Sequence, residues 1–103
     1  MSAASVLTEA MAIIAAPSKW AKEAVALDRR GREVRPLSEN AKRFDMVGAI
    51  QRVPASAADY GAAIRILRQQ CGKQSIFEFN DGHDHKAVLT CMRRAIVAAE
   101  VAA

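Results

Sequence analysis

Residues 24–37 read Ala24-Val25-Ala26-Leu27-Asp28-Arg29-Arg30-Gly31-Arg32-Glu33-Val34-Arg35-Pro36-Leu37. Two short segments, 24–27 and 33–37, flank a polar stretch in which Gly31 can supply the positive φ that a hairpin loop requires. Pro36 ends the second segment or holds it at an edge, where its missing N–H does no harm. The spacing predicts a short β-hairpin near residues 24–37, which makes the chain mainly α with a β element (α+β) rather than wholly helical.

On either side of this stretch the apolar residues recur at helical spacing. Val6, Ala10, Ile13 and Ile14 mark a first helix, stopped before Pro17 because the proline ring disfavours a helical residue ahead of it. Trp20 follows as a core-edge anchor whose indole N–H is expected to meet a backbone carbonyl. Beyond the hairpin, Ser38 is an N-cap candidate for a helix running to about Val53, with Ala41, Phe44, Val47 and Gly48 on its apolar stripe and Lys42, Arg43 and Arg52 elsewhere. Gly48 in mid-helix costs roughly 1 kcal/mol relative to alanine, and close approach by another backbone is the compensation to look for. Pro54 breaks the chain and Ser56 caps a third helix, with Tyr60, Ala63, Ile64, Leu67 and Cys71 inward and Gly72 as its stop. Ser75 to Phe79 alternates weakly and reads as a third strand or a buried connection, and residues 80–84 as a turn before a last helix carrying Val88, Leu89, Met92, Ala95, Ile96 and Ala99. About four helices on one core result, built around Trp20, Phe44, Ile64, Leu67, Val88, Met92 and Ile96.

At 103 residues there is room for a single compact domain, residues 1–103, able to bury a core without metal or disulfide staples. With 51% hydrophobic and 25% charged residues the chain is neither a disordered tail nor a membrane protein. Cys71 and Cys91 lie far apart, without a CxxC partner, and read as buried free thiols of a reducing cytoplasm. The apolar run from Ala10 to Ala16 imitates a signal peptide poorly, because no Lys or Arg precedes it and Glu9 interrupts its start. The expectation is a cytoplasmic chain with no membrane contact.

Trp20, then Asp28 and Gly31 in the hairpin, Ala41, Phe44 and Gly48-Ala49-Ile50 on a helix, Phe79-Asn80-Asp81, and finally Val88 and Ala95-Ile96 form an ordered set of landmarks. In that order the chain resembles an uncharacterised family of small bacterial and phage-borne proteins over about residues 5–99. The resemblance implies a mainly helical domain often carried on mobile genetic elements, and brings no assigned activity with it. The chain departs from that family in being more basic around residues 29–35.

Chemistry has few places to reside. A formal charge of +4 favours anionic partners if it is concentrated on one face. Arg29, Arg30, Arg32 and Arg35 on the hairpin, with Lys42 and Arg43 beyond it, are the candidate contacts to a nucleic acid or an acidic protein partner. Four arginines in seven residues exceed what Asp28 and Glu33 can neutralise, and long flexible side chains reach phosphates more readily than they read bases. Asp81, His83 and His85 mix imidazole and carboxylate and form a candidate divalent-metal set. The plainer reading has Asn80 and Asp81 as structural turn residues bonding backbone N–H groups. No nucleotide, nucleophile-elbow or zinc-protease motif occurs, and no cofactor is implied.

The expected function is that of a small non-enzymatic binding or regulatory protein, with an anti-defence inhibitor acting by occlusion among its forms. Two alternatives stay open: a metal-dependent enzyme centred on Asp81, His83 and His85, and a module that homodimerises through its Ala-rich first and last helices.

Overall fold

The computed structural model describes residues 1–102 and contains five α-helices and one two-stranded antiparallel sheet. Ala103 of the expected 1–103 domain lies outside the described residues. The first helix, α1 (Ala3–Ile13), starts at a reciprocal cap in which Ser2 and Ser5 each accept the other's backbone N–H. It buries Val6, Leu7 and Ala10, and a 3-10 turn (Pro17–Lys19) follows where Pro17 breaks the pattern.

The sheet departs from the expected hairpin. Strand β1 (Ala26–Leu27) pairs with β2 (Arg43–Phe44), in the register Ala26 to Phe44 and Leu27 to Arg43. The chain does double back at residues 28–32: the Asp28 N–H donates to Arg32 O at 2.9 Å and the Val34 N–H to Ala26 O at 3.1 Å. Glu33 makes only an isolated bridge to Leu27. The turn is therefore correct and the partner strand is not. The reason is burial: Ala26 and Phe44 both belong to the core, whereas Arg35 and Leu37 are exposed.

The second helix, α2 (Met46–Arg52), begins well after Ser38. The Ser38 hydroxyl is engaged in a turn, accepting the Asn40 N–H at 3.1 Å, and the Lys42 N–H donates to Leu27 O at 2.8 Å, which keeps residues 42–44 extended. Asp45 caps the helix instead, taking the Gly48 N–H at 2.6 Å. Met46 to Ile50 are all buried, so α2 runs through the interior. A Cβ on Gly48 would stand 1.9 Å from Val25 O, which identifies the close backbone approach that the mid-helix glycine implied.

Helix α3 (Ala57–Gln70) is capped by Ser56 and buries Ala63 and Leu67, while Tyr60 and Ile64 are half-buried. The segment read as strand or connection is helix α4 (Ile76–Gly82), started by a capping box between Ser75 and Glu78. Asn80 and Asp81 are thus helical rather than in a turn. Helix α5 (His85–Ala102) follows, with the Asp84 carboxylate accepting the Ala87 N–H at 2.8 Å.

Helices α1 and α3 both pack on α5, and α2 lies beneath α1. The small residues Ala10, Ala95 and Ala99 are buried, so the Ala-rich first and last helices meet each other within one chain. Of the expected core, Phe44, Leu67, Val88 and Met92 are buried, and Trp20, Ile64 and Ile96 are half-buried around them. Among the described residues no helix is long and apolar enough to cross a membrane.

Candidate functional site

The densest polar geometry is built on Asn80, which is 0% exposed. Its Oδ1 accepts the Trp20 indole N–H at 2.8 Å and the Met46 backbone N–H at 3.1 Å. Its Nδ2 donates to Ala21 O at 3.0 Å and to Asp81 Oδ1 at 3.1 Å. The expected backbone carbonyl is thus replaced by a side chain 60 positions away as the tryptophan's partner. Asp81 also accepts the Glu23 N–H at 2.9 Å, the residue that adopts a left-handed φ of 63°. Asn80 and Asp81 therefore fasten residues 20–23 and the start of α2 to α4.

The three candidate metal ligands point to separate tasks. Asp81 holds Glu23, His83 bonds Phe79 O through Nδ1 at 2.8 Å and stacks on the Phe79 ring, and His85 bonds Ile14 O through Nε2 at 2.7 Å. Among the described residues no group of three or more His, Cys, Asp or Glu side chains is placed to hold a metal ion.

Asp45 is 2% exposed and faces a hollow of about 300 Å³ that Glu23, Glu33 and Asp81 also line. Burial, with the nearby Asp81 charge, pushes its carboxyl up to about 7, against the opposing N–H groups of Gly48 and Val47. A carboxyl whose folded value lies above its unfolded one contributes full stability below about pH 4 and loses it as pH rises towards 7, at up to about 1.4 kcal/mol per pH unit. Asp45→Asn retains an oxygen for the Gly48 N–H and removes the charge. Urea denaturation across that window is expected to give the variant a flatter stability profile than the parent chain; parallel profiles would place the Asp45 titration elsewhere.

The basic residues gather on the opposite charge. Asp28 is buried and organises the turn: it accepts the backbone N–H groups of Arg30 at 2.8 Å and Arg32 at 2.9 Å, and Arg32 Nε at 3.1 Å. Those bonds, led by the Arg32 N–H, hold its carboxyl below the usual range against partial burial. Gly31 completes the turn at φ 79°. The result is a fixed loop from which Arg29, Arg30 and Arg32, all exposed, project with Lys42 around a hollow of about 430 Å³ that includes Asn40.

Among the described residues the Arg32–Asp28 pair is the one salt bridge, so Arg29, Arg30 and Lys42 have no carboxylate within 4.0 Å. Arg43 reaches under the same turn, its Nη2 3.7 Å from where a Gly31 Cβ would stand. Arg35 is directed elsewhere, to an apolar hollow with Pro36, Leu37 and Tyr60. Arg52, which the sequence grouped with Lys42 and Arg43 off the apolar stripe, donates to Pro36 O and Ser38 O at 2.7 Å each and braces the loop between turn and β2. The sequence reading missed Asn40 and the brace from Arg52; a lone arginine near a helix end carries no signal for either.

A protein-family model described as "Family of unknown function (DUF6197)" matches residues 1–98. No curated protein and no solved structure matches the chain.

Proposed function

We propose, from the premise that the chain belongs to the DUF6197 family of unknown function, that it is a non-enzymatic binding protein engaging nucleic-acid phosphates through the 28–32 turn and Lys42. The observation that carries this reading is the ring of Arg29, Arg30, Arg32 and Lys42 around one hollow in which Asp28 is the single carboxylate, already bonded to Arg32 and to the backbone. A turn whose amides are fastened by a buried carboxylate fixes the backbone from which its arginines project, so binding orders their side chains but not the loop. Phosphate oxygens match that arrangement, since guanidinium donors pair with them bidentately.

Readout of sequence is expected to be weak, because the arginines lie on a short loop with no helix or ribbon to enter a groove. Occlusion of a nucleic-acid site fits a chain of this size resembling mobile-element proteins. An acidic protein surface is the competing partner and is separated by the same experiment.

That experiment is a titration of a labelled single strand, a labelled duplex and an acidic polypeptide at several salt concentrations. Binding to the nucleic acid is expected to fall steeply with salt. Changing Arg29 and Arg30 together to alanine, which leaves the Arg32–Asp28 pair in place, is expected to lower the log–log salt slope on duplex by about 2 and leave the melting curve unchanged. Salt-insensitive binding, or binding to the acidic polypeptide alone, would overturn the nucleic-acid reading.

A further inference from the structure

The two cysteines take no part in that reading. Both are free and buried, and their Sγ atoms lie 4.0 Å apart, so the end of α3 and the second turn of α5 bring together thiols separated by 20 positions. A disulfide needs a sulfur separation of about 2.05 Å, a closure of roughly 2 Å. The end of α3 is suited to absorb it. Cys71 is the capping residue rather than part of the helix body, and Gly72 beyond it, at φ 67°, has open space on its Cβ side. Cys91 is held within α5 and lines a hollow of about 440 Å³, shared with Phe79, His83, Asp84, Lys86 and Arg94.

We propose that Cys71 and Cys91 form a redox-active dithiol, in which a hydroperoxide entering that hollow oxidises Cys91 and Cys71 then closes a disulfide between α3 and α5. The Cys91 thiolate attacks one peroxide oxygen as the O–O bond breaks. With hydrogen peroxide the departing hydroxide takes up a proton and leaves as water, and Cys91 becomes a sulfenic acid. Cys71 sulfur attacks that of Cys91; the S–S bond forms as the S–O bond breaks, and the hydroxyl leaves as a second water with the Cys71 proton. Two thiols lose two electrons and two protons, and the peroxide takes up both pairs to become two waters.

The surroundings divide these roles. The hydrogen bond with Cys71 and then the charge of Arg94 hold the Cys91 thiol below its ordinary value against burial, while the same hydrogen bond and burial push Cys71 up. The Cys71 S–H has an alternative acceptor in the Leu67 carbonyl oxygen, 3.4 Å from its Sγ, to which it can turn when Cys91 is not the thiolate.

Hydrogen peroxide added to the full chain tests the proposal. Both thiols are expected to disappear together, with a mass loss of two hydrogens, a monomeric product, a peptide map linking the Cys71 and Cys91 peptides, and recovery of both thiols on adding dithiothreitol. Cys71→Ser is expected to trap sulfenic acid on Cys91, read as a dimedone adduct, whereas the thiol left in Cys91→Ser should react about tenfold more slowly or less. Thiols that survive peroxide sufficient to oxidise free cysteine, links between chains in place of the internal one, or equal reactivity of the two variants would each overturn it. If a variant fails to fold, the mass and peptide map of the parent chain decide alone.

Discussion

Asn80→Ala is expected to destabilise the chain by about 4–6 kcal/mol, because one truncation leaves three polar groups without partners at roughly 1–3 kcal/mol each. Those groups are the Trp20 indole N–H, the Met46 N–H and the Ala21 carbonyl. Domains of this size have about 5–15 kcal/mol in total, so the variant stands near unfolding at room temperature. Trp20→Phe is the graded control: it removes one donor and leaves Asn80 bonded to Met46 and Ala21. Urea denaturation followed by circular dichroism compares the two. A loss below about 1 kcal/mol for Asn80→Ala would mean that water reaches the three groups.

Gly48→Ala is expected to cost about 4 kcal/mol or more, although alanine is the better helix former by roughly 1 kcal/mol. The added methyl would stand 1.9 Å from Val25 O and 2.9 Å from its carbonyl carbon. That carbonyl cannot withdraw freely, since it accepts the Asp45 N–H at 3.2 Å and Asp45 caps α2. Gly61→Ala is the matched comparison, a helical glycine with nothing within 4 Å of its Cβ position. It should gain up to about 1 kcal/mol. If both substitutions shift the thermal midpoint in the same direction, the contact between α2 and residue 25 is not the tight one described.

The elements that could be read from sequence are those whose signals are local. Pro17, Ser56 and Gly72 delimit helices through their own backbone chemistry, and Asp28 with Gly31 builds its turn within five residues. The failures arise where a distant partner decides. Phe44 lies in a sheet because Ala26 pairs with it, so the apolar stripe assigned to a helix from Ser38 was partly a strand. The Ser75 and Glu78 capping box was present in the sequence, yet the alternation of Ile76, Phe77, Glu78 and Phe79 imitates a strand over so short a helix. Asn80 carried a turn signal that its burial overrode, because three partners from other elements satisfy it. The basic face was visible as composition, while its division into the gathered Arg29, Arg30, Arg32 and Lys42 and the separate Arg35 depends on where β2 returns beside the turn.

The packing of α1 on α5 sets the order in which the chain can mature. The face of α1 that carries Val6, Leu7 and Ala10 packs against α2 and α3 and against α5, a helix made long after it. While the chain is being made, that face has the shelter of α2 and α3 alone, and the part facing α5 stays wet until residues 85–102 have left the ribosome. A chain interrupted before residue 85 therefore offers an apolar strip to chaperones and proteases that the folded domain conceals.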